Sequence, residues 1–233
     1  MKIAVAYTVV SNGPISDQYA SRFAATFHEF PPGSECDLMV IGNGGPMPLE
    51  LSLIFAPLNA RMFLRSNENK DLGGYLAVAR DPAKDYDMLV ALGESVYFHR
   101  AGWLKRLVEA WEKHGEGMYG MFSSNLVRPH LQTTAFCTSP LLLRKCPISI
   151  EDRYPYEHGQ NSFWRWVARC GKAVRLVTWD GEWLPMQWRV PRNILWRGDQ
   201  SNLLMWANHT QRYVEAAVEV KAKWSRGADQ PYR

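Results

Sequence analysis

Five charged side chains, set at the ends of apolar runs or in polar loops, could carry chemistry in this 233-residue sequence: Glu94, Glu157, Asp180, Arg197 and His209. The apolar run Met88-Leu89-Val90-Ala91-Leu92 stops abruptly at Gly93-Glu94-Ser95. A short apolar run bounded by turn residues reads as a buried strand. Ligands of α/β sheets gather outside the carboxyl ends of the strands, so Glu94 stands where a metal ion or a phosphate would bind. One carboxylate, with Ser95 as a weak second contact, can hold Mg2+ or Mn2+ when phosphates and water supply the other oxygens. It could equally bond a ribose or a loop amide, with no metal bound. Arg197 offers a diphosphate a bidentate fork, with Gln200 and Ser201 beside it as neutral donors, or it pairs with Asp199. Glu157 and His158 place a carboxylate next to an imidazole, a combination suited to general base chemistry. Asp180, followed by Gly181, is the rival carboxylate. Both also have purely structural readings, Glu157, in a loop just before a helix, as a capping or dipole partner of that helix and Asp180-Gly181 as a turn. His99, His130 and His209 are isolated histidines, each either a ligand or an ordinary surface or capped residue.

The elements that must position these groups follow an α/β pattern. Lys2 to Val10 is a β-branched apolar run, and Asp17 to Phe30 has helical spacing until Pro31-Pro32-Gly33 stops it. Cys36 to Ile41 is a second strand, completing a β-α-β unit of the kind that builds parallel sheets. Leu49 to Phe63 reads as partly helical, and Asn67 to Tyr75 as a polar loop leading into a helix that ends at Arg80. After the Met88–Leu92 strand, Ala101 to His114 is an amphipathic helix. Met118 to Phe122 and Gln132 to Thr138 are strand candidates, and Ser139-Pro140 opens a short helix. Residues 149 to 161 read as a charged, aromatic loop, Ser162 to Cys170 as a helix capped by Gly171, and Val174 to Trp179 as a strand. Gln211 to Trp224 is a terminal helix, with a frayed end from Ser225.

Composition narrows the function classes. The chain is 46% hydrophobic and 21% charged, ordinary for a globular domain, and lacks the long apolar run a membrane span needs. The first ten residues read as a core strand and not as a cleaved leader, which makes a cytoplasmic location the expectation. Four scattered cysteines (Cys36, Cys137, Cys146, Cys170) form no Cys-x-x-Cys pair, so neither a zinc site nor a disulfide framework is expected. No Gly-x-Gly-x-x-Gly or P-loop pattern is present. Residues 1 to 150 hold 14 basic and 14 acidic side chains, whereas residues 151 to 233 hold 13 and 9, together with eight of the 10 tryptophans. Indole faces and guanidinium groups suit sugars and phosphates. They also suit nucleic acid, or simply a tryptophan-rich core under a solvated surface.

Several segments, in order, resemble GT-A glycosyltransferases of the family-2-like type. They are the first strand with its polar exit Tyr7-Thr8, the Asn67–Gly74 loop, the Leu92–Val96 segment and the Thr133–Pro140 step from strand to helix. Arg153-Tyr154-Pro155-Tyr156-Glu157-His158-Gly159 and Trp196 to Leu204 resemble segments of bacterial and phage sugar transferases of that fold. The likeness covers roughly residues 1 to 210. The Asp-x-Asp metal motif of the family reads Gly93-Glu94-Ser95 here, so its acidic pair is degenerate.

The resemblance implies a GT-A-like, Rossmann-like α/β fold, a single domain with a mostly parallel central sheet flanked by helices. Residues 1–125 would form the nucleotide-sugar-binding part, and residues 126–233 the acceptor-binding part with a C-terminal helix. It implies transfer of a hexosyl or pentosyl group, with inversion, from a nucleotide-sugar co-substrate to a hydroxyl of a saccharide or glycoconjugate. Donor contacts would fall to Tyr7, Thr8, Asn69, Asp71, Gly74, Glu94, Ser95, Arg197 and Gln200, and acceptor contacts to His130 and Trp188. Glu157, His158 or Asp180 would act on the proton, and Glu94 with His209 would hold Mn2+ or Mg2+. Two alternatives stay open: transfer to a hydroxylated base in DNA, and a non-catalytic relative that only binds sugar or nucleotide.

Overall fold

The computed structural model describes residues 1–125, 128–189, 193 and 195–229. The apolar Ile3–Val10 run forms β1, and the turn through Gly13 and Pro14 leads into α1 (Ser16–Glu29). Pro31 and Pro32, which cannot continue a helix, separate α1 from β2 (Asp37–Asn43). Next come α2 (Leu49–Phe55), a 3-10 turn at Ala56–Leu58, β3 (Arg61–Arg65), α3 (Lys70–Arg80) and β4 (Met88–Leu92). The Leu49–Phe63 stretch, expected to be helical in part, is therefore helix, turn and strand. Strand β3 lies at the edge of the sheet, pairs only with β2 and leaves Met62 and Leu64 exposed. Its side chains accordingly lack the alternation that marks a half-buried strand.

Helix α4 (Trp103–His114) follows, then β5 (Gly117–Gly120), the small pair β6 (Ser123–Ser124) and β7 (His130–Leu131), and β8 (Ala135–Thr138). Ser139 caps α5 (Pro140–Lys145) by accepting a hydrogen bond from Leu142 N. The segment expected to be a loop, residues 149 to 161, instead contains α6 (Arg153–His158), capped by Asp152. Pro155 sits in its first turn, where a helix does not need the missing N–H. Helix α7 (Phe163–Arg169), β9 (Ala173–Thr178), β10 (Gly181–Trp183), α8 (Asn208–Glu215) and α9 (Val218–Asp229) complete the order. The expected terminal helix is thus two helices broken at Ala216, and Ser225 to Asp229 are helical where fraying was expected.

All but the β6–β7 pair join one eight-stranded sheet in the order β3-β2-β1-β4-β8-β5-β9-β10. Within this sheet β1 to β5 and β9 point one way, while β8 and β10 run antiparallel to their neighbours. The α/β architecture with a mostly parallel central sheet expected from the sequence is the one found. Successive side chains of a strand face opposite sides. On β1, Val5, Tyr7 and Val9 join one apolar layer with Phe23 of α1 and Trp103 and Leu107 of α4. Ala4 and Ala6 join the other, with Tyr75 of α3, Leu142 of α5 and Phe163 of α7. Because β8 runs backwards, its N-terminal approach, Thr133-Thr134, arrives at the same edge as the carboxyl end of β4, where Gly93 N donates to Thr134 O (2.7 Å).

Candidate active site at the carboxyl edge of the sheet

Glu94 lies just past β4 and turns its carboxylate toward β1. Its Oε1 accepts from Val10 N (3.0 Å) and from the Ser16 hydroxyl at the start of α1. No side chain caps α1 at Ile15, and a carboxylate at a helix N-terminus is electrostatically favourable. The buried Tyr7 hydroxyl donates to Glu94 O (2.5 Å), and Thr8 Oγ1 donates to Leu92 O (3.3 Å). Burial, and then the nearby Glu94 charge, hold the Tyr7 pKa well above its ordinary value, so it remains a neutral donor. Ser95 is held by its backbone, whose O accepts from Arg22 Nη2 (3.2 Å). Arg22 also donates to Gln211 of α8 and stacks over Tyr97 at 4.0 Å.

One strand pair away, α3 starts from two consecutive left-handed residues, Asn69 (φ 55°) and Lys70 (φ 51°). Such backbone strain concentrates at functional sites. A Cβ on Gly74 would stand 3.2 Å from Ile41 and 3.4 Å from Thr8, so glycine lets α3 lie close on the ends of β1 and β2. Asp71 forms an ion pair with Arg153 at the start of α6. Between the β3–α3 loop and α6 lies a cavity of about 420 Å³ lined by Asn67, Asn69, Asp71, Ile150, Asp152 and Arg153. Arg65, at the carboxyl end of β3, donates to Asn43 Oδ1 (2.7 Å) and Glu68 O (2.7 Å). Burial lowers its pKa, but a guanidinium stays charged.

Glu157 occupies the last turn of α6, not a loop before a helix. Its Oε1 accepts from Thr133 N (2.5 Å) and Thr133 Oγ1 (3.1 Å), and its Oε2 lies 3.7 Å from His158 Nε2. Thr133 precedes the residue bonded to Gly93, so Glu157 and Glu94 stand on either side of one short piece of backbone. The rings of His130 and His158 meet edge to face at 4.1 Å, and His130 Nδ1 donates to Arg128 O (2.6 Å). Burial lowers the pKa of both histidines.

The remaining expected residues divide between a loop and the core. Arg197 sits in a loop where Trp196 (φ 66°), Gly198 (φ 63°) and Gln200 (φ 63°) are all left-handed, strain that is rare for a bulky residue. The loop is clamped by stacking of Trp196 on Trp224 (5.3 Å) and by Ser225 Oγ donating to Trp196 O (3.0 Å). The buried Gln200 amide spends itself inside the loop, accepting from Trp196 N (3.1 Å) and donating to Arg197 O (2.5 Å). Trp188 is fully buried in the second apolar layer, its Nε1 donating to Trp183 O (3.0 Å). Asp180 Oδ1 accepts from Thr178 Oγ1 (2.8 Å) and Asn202 Nδ2 (2.7 Å). Asp180 shares the carboxyl edge with Glu94, but β8 and β5 lie between their strands. Three strand spacings amount to about 14 Å. His99 donates from Nε2 to Leu203 O (2.8 Å).

Glu94 fits a divalent cation as one oxygen ligand, because only Oε1 is engaged by the loop. His209 packs edge to face on Phe122 (4.9 Å), its Nε2 is buried with no hydrogen-bond partner among the described residues, and burial lowers its pKa to about 4. It is therefore neutral, the form a ligand nitrogen requires. Among the described residues no hydrogen bond joins His209 to Glu94, and no group of three or more His, Cys, Asp or Glu side chains could hold a metal ion. Any cation here would take most of its oxygens from a bound phosphate and water.

Sequence reasoning passed over Arg22, Arg65 and Arg153 as site residues. Arg65 had a signal, a cation closing the run Arg61-Met62-Phe63-Leu64-Arg65. Arg153 opened the Arg153–Gly159 segment without its ion pair being legible, and Arg22 had no signal, because their partners are 82 and 73 residues away.

No protein-family model and no curated protein matches the chain. Its fold is similar in part to those of many solved structures, three of which follow. A cytidylyltransferase from Leptospira borgpetersenii serovar Hardjo-bovis shares 13% identity over 68% of this chain and 68% of that one, with a TM-score of 0.49. TarS of S. aureus shares 12% over 64% and 30%, with a TM-score of 0.48. The galactosyltransferase LgtC, in complex with donor and acceptor sugar analogs, shares 12% over 63% and 60%, with a TM-score of 0.45. This chain thus spans less than two thirds of the length of TarS and LgtC. At such identities these are likenesses of fold alone.

Proposed function

We propose that the chain transfers a sugar from a nucleotide-sugar to a hydroxyl of a saccharide or glycoconjugate acceptor, with inversion. The observation that carries this reading is the pairing of two carboxylates across the Gly93–Thr134 contact: Glu94 on the β1 side and Glu157 on the β8 side. Two acids flanking one edge of an α/β sheet divide the work naturally, one toward the leaving diphosphate and one toward the attacking hydroxyl. Nucleotide and ribose would lie over Tyr7, Thr8, Gly74 and the Asn69–Asp71 loop. The diphosphate would be neutralised by a divalent cation on Glu94 and by Arg197, with Ser95, Gln200 and His209 in its surroundings. Glu157, tuned by His158, is the base in this scheme and Asp180 its rival. His130, in contact with His158, is the acceptor-side histidine.

Thermal-shift titration against UDP-, GDP-, CMP- and dTDP-sugars, with and without Mn2+, tests the reading, because a ligand that binds only the native state raises apparent stability. One nucleotide family should stabilise the protein and be turned over. Stabilisation without turnover toward any hydroxyl acceptor would leave a binding relative. No response to any nucleotide-sugar would remove the transferase reading.

A further inference from the structure

Between α4 and the β9–β10 hairpin lies a trough of about 600 Å³ that the donor-side scheme leaves unused. Its walls include Arg106, Lys113, Trp179, Asp180, Glu182 and Trp183. We propose, resting on the transferase reading above, that this trough is an acceptor subsite that binds a neutral saccharide ring against the Trp183 indole, away from the reacting hydroxyl.

The Trp183 indole is fixed before any ligand arrives. Its Nε1 donates to Thr178 Oγ1 (2.8 Å), and its backbone O accepts from Trp188 Nε1 (3.0 Å). The indole lies across the hairpin turn, so close that a Cβ on Gly181 would stand 3.0 Å from it. Trp179, the neighbouring wall, is steadied on one face by the Arg100 guanidinium at 4.4 Å. Trp183 is partly buried against the second apolar layer and keeps part of its surface on the trough. A rigid aromatic surface ringed by polar groups is what a ligand with alternating C–H and hydroxyl faces requires.

The charges of the trough decide what kind of ligand it takes. Arg106 and Lys113 look like a phosphate-binding pair, but Glu182 bonds both, at 2.8 Å each, and Arg106 pairs also with Glu109. Burial alone would raise the Glu182 pKa, yet the hydrogen bonds from Lys113 and Arg106 outweigh it and hold the carboxyl at about 2. Glu182 therefore stays ionised, and with Asp180 it balances the two cations. A wall whose positive charges are already matched suits hydroxyl groups better than a phosphate backbone, which draws its affinity from unmatched cations. Asp180 bonds Asn202 (2.7 Å), and Trp179 N donates to Asn202 O (3.1 Å). The trough floor is thereby stitched to the loop that carries Arg197.

Saturation-transfer NMR with maltotriose, cellotriose and triacetylchitotriose tests the assignment, with a 20-base-pair DNA duplex as the opposing probe. At least one trisaccharide should receive magnetisation from the protein, and Trp183→Ala should weaken its binding by about tenfold or more. Trp183→Phe, the milder change, should weaken it less, with the melting temperature confirming that both variants fold. No transfer to any trisaccharide, or transfer indifferent to both substitutions, overturns the proposal. So does DNA binding that Trp183→Ala abolishes. Stabilisation by nucleotide-sugars, measured on the same variants, separates the two readings. If it persists while sugar binding is indifferent to Trp183, only the trough assignment fails; if it is absent from the wild type while Trp183-dependent sugar binding is present, only the transferase reading fails.

Discussion

The Glu94 carboxylate and the Val10 amide, 84 residues apart, meet at 3.0 Å across the β1–β4 edge. The acid at the centre of the candidate site is thus also the clasp that holds the β1–α1 turn. Glu94→Ala should lower the melting temperature by several degrees, since a charge-assisted hydrogen bond is worth about 1.5–3 kcal/mol, and should weaken nucleotide-sugar binding as well. Glu94→Gln retains an acceptor for Val10 N but loses the charge. It should keep most of the stability and lose any Mn2+ dependence of donor binding, read by thermal shift with and without Mn2+. Unchanged donor affinity in both variants would leave Glu94 with the clasp alone.

For Arg197, lysine should be almost as damaging as alanine. An ammonium cannot reproduce a bidentate grip on a diphosphate, and losing one charge-assisted contact costs about 1.5–3 kcal/mol, roughly a tenfold to hundredfold loss of affinity. Calorimetric titration of the nucleotide-sugar into wild type, Arg197→Lys and Arg197→Ala reads this directly. Equal affinities would take Arg197 out of the donor site.

Glu157→Gln should abolish transfer while donor affinity holds. The amide oxygen can still accept from Thr133 N, but it cannot take a proton from the acceptor. Removing a general base costs on the order of 10²–10⁴ in rate, expressed in kcat. If Glu157 only anchors Thr133, turnover should survive the substitution and Asp180→Asn should then be the variant that stops it.

Stability should fall as the solution becomes acidic through the histidine range. His130 and His158 both have pKa values lowered below 6.5, chiefly by burial. The unfolded chain therefore takes up protons near pH 6.5 before the native one does, and stability rises with pH wherever the unfolded state binds more protons. Melting temperatures should be level above pH 7 and decline below about pH 6.5. The decline should be shallower in His130→Gln and His158→Gln, after allowing for any change in their stability at pH 8. Identical slopes in all three proteins would place the acid sensitivity elsewhere.

Much of this site could be read from residues alone, and the failures share a cause. Gly93-Glu94-Ser95 was legible because a buried strand advertises itself by uninterrupted apolar residues and its end by the first acid. That Glu94 would spend an oxygen on Val10 and Ser16 was not, because those partners lie 84 and 78 residues away. Pro155 made α6 look like a loop, although a first-turn proline breaks nothing. Strand β3 was hidden by its exposed Met62 and Leu64, and β10, three residues long, is too short to show a period. Ala216 and Ala217 give no sign of a break between α8 and α9, which is accompanied by packing of Trp224 on Trp196 and Tyr213.

The contact of Arg22 with Gln211 joins positions 189 residues apart. Closing so long a loop is a late event, paid for in chain entropy only once intervening structure has shortened the search. Strand β8 likewise enters the middle of the sheet only after the first five strands have been made. Tyr7, Asp71 and Glu94 of the proposed donor site therefore come early in synthesis, while Arg197 of that site and the groups that fix the early residues' backbone come from the later half of the chain. A nascent or truncated chain ending near residue 125 would carry the Tyr7, Asp71 and Glu94 side chains yet lack the Gln211 anchor that sets the Ser95 backbone through Arg22. Competence to bind a nucleotide should thus appear abruptly with chain length and not in proportion to it.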